Sequence, residues 1–188
     1  NQWDTRYNIG YWLWKLEEFP KEWLPAFHLL DEVWTPSEFI SQNLRKYTDK
    51  PVYTLPYSVT APADAAYDRG YFHLPKDRFL FLMMYDSGSG MVRKNPLGAI
   101  EAFKQAFDRG NKQVGLVIKM NRSEQSEKDI ENIRTKLDGY DNIYFICETL
   151  SKTAVNSLTA CVDVFVSLHR AEGFGLVMAE AMLLGTPV

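Results

Sequence analysis

The 188-residue chain is 46% hydrophobic and 24% charged, with a net charge of -3 and a pI near 5.7. That is ordinary globular composition, long enough for one good-sized core or for a small domain plus part of another. The acidity argues against a nucleic-acid binder, which needs a basic face to displace counterions, and no apolar run approaches the ~20 residues that span a bilayer.

Cys147 and Cys161 are the only cysteines, too few for a disulfide framework or a zinc site, so a reducing, cytoplasmic setting is expected. The sequence opens without a methionine or a basic-then-apolar leader. It closes at Pro187-Val188, where a new strand is expected to begin. It is therefore expected to be a piece of a longer protein.

The first 59 residues are crowded with aromatics, among them Trp3, Tyr7, Trp12, Trp14, Trp23 and Trp34, more than so short a segment can bury alone. A helix is expected over 22–30, a strand over 32–35 and another over 51–55. Between the strands, Pro36 suits the first turn of a helix running to Tyr47, with Thr35 as its N-cap. These read as the last units of an α/β domain. Residues 60–77 are then expected to be an interdomain linker, because 60–75 are rich in Ala, Asp, Pro and Gly without periodicity.

From residue 78 the pattern becomes regular. Short apolar β-rich runs at 79–84, 114–120, 142–146 and 162–168 alternate with helical patterns at 95–108, 123–137 and 151–160. Continuous apolar strands alternating with helices predict an α/β fold with a parallel sheet covered on both faces. Ligands of such sheets bind at the carboxyl ends of the strands.

The segment Ser167-Leu168-His169-Arg170-Ala171-Glu172-Gly173-Phe174-Gly175-Leu176 follows a strand and leads into a helix. Gly173 and Gly175 allow a tight turn and a close approach to a ligand. The helix start behind them suits a phosphate, through its unpaired amides and the positive end of its dipole. From Leu176 to Leu184 that helix is apolar except at Glu180, so it is expected to be buried all round, with Glu180 in or beside the core. Glu172 stands eight positions earlier, and both carboxylates are expected above the strand ends. The competing reading is that Glu180 only pairs with a nearby Arg and Glu172 is a solvated loop residue.

A second loop, Tyr85-Asp86-Ser87-Gly88-Ser89-Gly90-Met91-Val92-Arg93-Lys94, is small, polar and glycine-rich, ending in two cations at a helix start. Lys94 and Arg93 there suit a diphosphate; otherwise they are surface cations. His169 is a candidate hydrogen-bond partner for a sugar hydroxyl, and equally a plain loop histidine. No GxGxxG or Walker motif occurs, and no DxD pair suggests a divalent metal.

Glu172-Gly-Phe-Gly-Leu-Val-Met-Ala-Glu180-Ala-Met-Leu-Leu-Gly-Thr-Pro-Val188 resembles the E-x7-E region of the family-four (group one) retaining glycosyltransferases. Arg93-Lys94-Asn95-Pro96-Leu97-Gly98-Ala99-Ile100 is similar to their donor-phosphate loop, and Val33-Trp34-Thr35-Pro36-Ser37-Glu38-Phe39 to a segment near the end of their N-terminal domain. SLHRAEGFGL adds a weaker likeness to the branch that builds bacterial surface polysaccharides.

The resemblance implies a GT-B enzyme of two Rossmann-like domains: the end of the acceptor-side domain at 1–59 and the nucleotide-sugar-binding domain at 78–188. It implies Glu172 on the transferred sugar, Glu180 on the ribose, and Lys94 helped by Arg93 on the diphosphate. Amides of Phe174, Gly175 and Leu176 would add donors. The donor would be a nucleotide-diphosphate sugar and the acceptor a glycan or a lipid-linked glycan, at the inner membrane face in the latter case. No cofactor or metal would be needed, and the anomeric configuration would be retained. One departure is Gly88, where the family commonly has an Arg. Lacking the front of its N-terminal domain, the chain alone would turn over little or no substrate. A non-catalytic nucleotide-sugar-binding module and a sugar-nucleotide epimerase are the alternatives.

Overall fold

A computed structural model describes residues 5–121, 124–137 and 139–188. The chain divides into two compact units. The first is Asn1–Ser58 with Ala171–Gly175; the second is Val59–Arg170 with Leu176–Val188.

The first unit holds a parallel sheet of three short strands in sequential order, β1 (Ile9–Tyr11), β2 (Glu32–Thr35) and β3 (Val52–Thr54). Val33 on the central strand stands opposite Gly10 and Val52 and is wholly buried. The expected helix at 22–30 is instead a 3-10 stretch, Lys21–Leu29. Pro25 in its middle has no N–H to donate and crowds the preceding turn, which an α-helix does not tolerate.

Helix α1 (Glu38–Leu44) begins later and ends earlier than its pattern suggests. Its cap is Ser37, whose Oγ accepts from Ile40 N at 3.4 Å, and not Thr35. Thr35 is fully buried and its hydroxyl has other work. It donates to Ser37 O at 3.0 Å and lies 2.7 Å from Ser41 Oγ, which in turn lies 2.6 Å from Thr54 Oγ1.

The aromatics of this unit pack largely on one another. Trp12 stacks on Phe19 at 5.6 Å between centroids, and Trp14 meets both Phe19 and Trp23 edge-on. Phe19 and Phe27 are buried while Trp23 and Tyr7 stay exposed. Self-packing therefore satisfies part of the aromatic set, as its density in so short a segment suggests. Trp3 lies outside the described residues.

The second unit has a four-stranded parallel sheet in the order β6-β5-β4-β7. Its elements run β4 (Phe79–Tyr85), α2 (Met91–Lys94), α3 (Pro96–Ala106), β5 (Val114–Met120), α4 (Glu124–Lys136), β6 (Ile143–Ile146), α5 (Lys152–Cys161), β7 (Val164–Phe165) and α6 (Leu176–Leu183). Every residue of β5 is buried. Side chains alternate across a strand, so Leu116, Ile118 and Met120 pack with Ile100, Phe103 and Ile133 of α3 and α4. Val117 on the opposite face packs with Leu158, Phe165 and Ala181. The sheet is thus covered on both faces, as continuous apolar strands require.

Three expectations are corrected here. The strand expected at 162–168 is only Val164–Phe165, because Val162 still caps α5 and the chain leaves the sheet after Val166 N bonds Leu82 O. Residues 60–75 are not a loose connection. Phe72 and Leu74 are buried in the core of the second unit, and Arg69 pairs with Asp163. Helix α6 is not buried all round: Glu180 and Ala181 are its buried residues, whereas Met182 and Leu183 are 63% and 59% exposed. It rests one side on the core through Ala181. Among the described residues no helix is long and apolar enough to cross a membrane.

Gly115 leaves no room for a side chain. A Cβ there would stand 2.7 Å from Tyr144 Cε2, 3.0 Å from Leu80 Cδ2 and 3.3 Å from the Asn142 carbonyl. Gly115→Ala is expected to destabilise the chain by about 1–2 kcal/mol through overpacking, read as a lower midpoint in urea with an unchanged slope.

Candidate functional site

Two loops meet at the carboxyl end of the second unit's sheet. After β4, Asp86 caps a 3-10 turn (Ser87–Ser89), accepting from Gly88 N at 3.3 Å and from Ser89 Oγ at 2.9 Å. Gly90 at φ 86° then starts the single turn of α2, and Asn95 at φ 47° ends it. Both are left-handed, conformations that Gly and Asn reach most easily. Arg93 and Lys94 thus sit in the last turn of α2, where the dipole favours cations, and not at the start of α3; Pro96 takes that place.

The loop after β7 is tied to this one. Asn95 Nδ2 donates to Leu168 O at 3.0 Å, Arg170 N donates to Arg93 O at 2.8 Å, and the Arg170 guanidinium donates to Val92 O. Nothing in the sequence pattern links the two loops, since the partners are more than seventy positions apart.

At the tips of β4 and β5 a cavity of about 200 Å³ is lined by Tyr85, Asp86, Lys94, Lys119, His169 and Val177, among others. Two of the residues singled out in the sequence, Lys94 and His169, therefore share one cavity. Lys119 was not anticipated. It is 3% exposed, with Nζ donating to Met120 O at 3.1 Å and to Asn121 Oδ1 at 3.0 Å. Burial pushes its ammonium below the ordinary lysine value, an effect that the nearby Cys147 and Glu148 partly offset. The signal was present: a lysine in an otherwise apolar strand, on the same face as Val117.

Glu180 is 4% exposed, as a lone carboxylate on an apolar helix suggests, and its partner is a lysine: Lys152 Nζ stands 2.5 Å from Oε2. Leu176 opens α6 and is 41% exposed.

Glu172, Gly173, Phe174 and Gly175 belong to the first unit. Gly173 O accepts from Ser37 Oγ at 2.5 Å, and a Cβ on Gly173 would stand 3.1 Å from both Trp14 O and Ile40 Cδ1. The close approach at Gly173 is thus to protein of its own unit. Gly175 has φ 79°, the turn that only glycine makes without strain. Phe174 meets Tyr57 edge-on at 5.2 Å.

The family model for glycosyl transferases group 1 matches residues 74–188, more than half of the chain. The chain belongs to the group 1 glycosyl transferases. A sequence search of curated proteins finds no match. Among solved structures, this glycosyl transferase chain is similar to Anabaena HepE in complex with UDP and glucose. The TM-score is 0.75 at 17% identity, over 97% of this chain and 52% of that one. Sucrose-phosphate synthase from Thermosynechococcus elongatus gives 0.73 at 21% identity, over 90% and 43%. The pneumococcal O-GlcNAc transferase GtfA in complex with UDP and GlcNAc gives 0.65 at 15%, over 97% and 37%. At these identities the likeness establishes a shared GT-B fold, and the chain spans about half the length of HepE and less of the other two.

Proposed function

We propose that the chain carries the donor site of a retaining glycosyltransferase, which moves a sugar from a nucleotide-diphosphate sugar to a glycan or lipid-linked acceptor. The observation that carries this reading is the cavity at the strand tips, where Lys94 and His169 meet on two loops bonded to each other. Family membership supplies the reaction class. Two structural neighbours hold UDP together with a sugar, which supports a nucleotide-sugar donor.

In this reading Lys94, with Arg93 beside it, neutralises the charge that grows on the departing diphosphate. The E-x7-E spacing supports Glu180 as the ribose acceptor and Glu172 as the group against the transferred sugar. His169 and the amides of Phe174, Gly175 and Leu176 donate to sugar or phosphate oxygens, and Gly173 keeps the loop slim. The bond from the anomeric carbon to the β-phosphate oxygen breaks, and the acceptor oxygen bonds to that carbon from the same face. The acceptor proton leaves with the departing diphosphate. No metal takes part, and the setting is cytoplasmic, at the inner membrane face where the acceptor is lipid-linked, in a polysaccharide-building role.

Ligand-observed NMR with UDP, GDP and ADP in EDTA tests the donor site. One diphosphate is expected to bind, with Lys94→Ala weakening it about tenfold or more through loss of a charge-assisted hydrogen bond. A folded chain that binds none of the three sinks the reading. In the intact enzyme, a product of inverted anomeric configuration would refute retention.

A further inference from the structure

We propose that Lys119 is a second cation of the donor site, donating a hydrogen bond to a phosphate oxygen of the nucleoside diphosphate beside Lys94. This rests on the donor-site reading above and deepens it. Lys119 and Lys94 line the same cavity although one comes from the end of β5 and the other from the end of α2.

An ammonium has three protons to donate. Two acceptors meet Nζ among the described residues, Met120 O and Asn121 Oδ1, which leaves a third proton for an occupant of the cavity. A lysine 3% exposed is a costly thing to keep at a sheet tip. Both of its acceptors are uncharged oxygens, so among the described residues no carboxylate bonds the ammonium to answer its charge.

The charges facing the cavity favour an anion. Among the described lining residues Lys94 and Lys119 face one carboxylate, that of Asp86, which already accepts from Gly88 N and Ser89 Oγ. Glu148 and Cys147, close enough to Lys119 to raise its proton affinity, lie past the end of β6 and are not among the cavity's lining. The cavity, about 200 Å³, has room for phosphate groups, and its two lysines suit the phosphate-bearing part of the ligand.

The test compares the chain with Lys119→Met and Lys119→Gln, using inorganic pyrophosphate, the nucleoside diphosphate selected by the panel above, and the corresponding free nucleoside. Lys119→Met is expected to weaken pyrophosphate and diphosphate about tenfold, to leave the nucleoside unchanged, and to stay folded at the assay temperature. Lys119→Gln is expected to follow it in weakening the phosphates.

Equal phosphate affinity in either folded variant overturns the inference and leaves the donor site standing. Loss of nucleoside and phosphates in proportion also overturns it, because a general disturbance of the pocket does that. Melting of both variants below the assay temperature shows a lysine needed by the fold and overturns it as well. A parent chain that binds no diphosphate ends the donor reading itself, and this inference with it.

Discussion

Arg69→Ala is expected to lower the stability of the chain by about 2–4 kcal/mol, the cost of unpairing a partly buried ion and several carbonyls at once. The guanidinium is a staple for the second unit. Its Nε donates to Cys161 O at 2.7 Å, Nη1 to Arg78 O at 2.8 Å, and Nη2 to Asp163 Oδ2 at 2.7 Å. The same Asp163 oxygen accepts from Leu80 N at 2.7 Å at the start of β4. Arg69 thus joins the segment before β4 to the end of α5, and Asp163 carries the link on to Leu80 of β4 itself.

Both partners keep some water contact, at 19% and 34% exposure of their side chains. Screening there makes the pair cost less to break than a fully buried one. Arg69→Lys keeps the charge but loses the planar fork, so it is expected to recover less than half of the loss. Urea denaturation of the three proteins measures both effects, and a change under 1 kcal/mol for Arg69→Ala would show that the staple is not needed.

Arg69 also shows where sequence reading stops. Residues 60–75 look like a linker because local composition is all that a pattern reports, and Ala, Asp, Pro and Gly without periodicity describe any irregular segment. What makes the segment part of the core is the pairing of Arg69 with a carboxylate 94 positions away and the burial of Phe72 and Leu74. The strands β4 and β5 were legible to within a residue for the opposite reason. A strand buried on both faces is a continuous apolar run, and nothing distant is needed to recognise it.

The site divides in the same way. The glycine-rich loop that ends in Lys94 is a local feature and shows in the sequence, and so does the burial of Glu180 on an otherwise apolar helix. The tie between the two loops does not, because Asn95 reaching Leu168 and Arg170 reaching Arg93 are products of tertiary packing. Even the conformation of Arg93 and Lys94 depended on it. With Asn95 turned left-handed, the cations close a separate turn and do not open the long helix.

Lys152→Met is expected to destabilise the chain by about 2–3 kcal/mol, and more than Glu180→Gln does, because it leaves a carboxylate inside the protein without its counter-charge. Glu180 is 4% exposed, while the side chain of Lys152 is 54% exposed and reaches Oε2 at 2.5 Å. The lysine gives up part of its hydration, and the glutamate nearly all of it. Removing the cation therefore strands the group that cannot return to water, whereas an amide at position 180 has no charge to strand. The double variant is expected to be more stable than Lys152→Met alone, a non-additivity that a double-mutant cycle reads directly.

The same pair separates fold from function. If Glu180 accepts from the ribose hydroxyls, Glu180→Gln weakens the nucleoside about tenfold or more, the value of hydrogen bonds to a charged acceptor. Lys152→Met, which keeps that acceptor and removes its competitor, does not weaken the nucleoside in protein held folded. Equal nucleoside affinity in Glu180→Gln and the parent chain would reduce Glu180 to the partner of Lys152, and the ribose would need another acceptor.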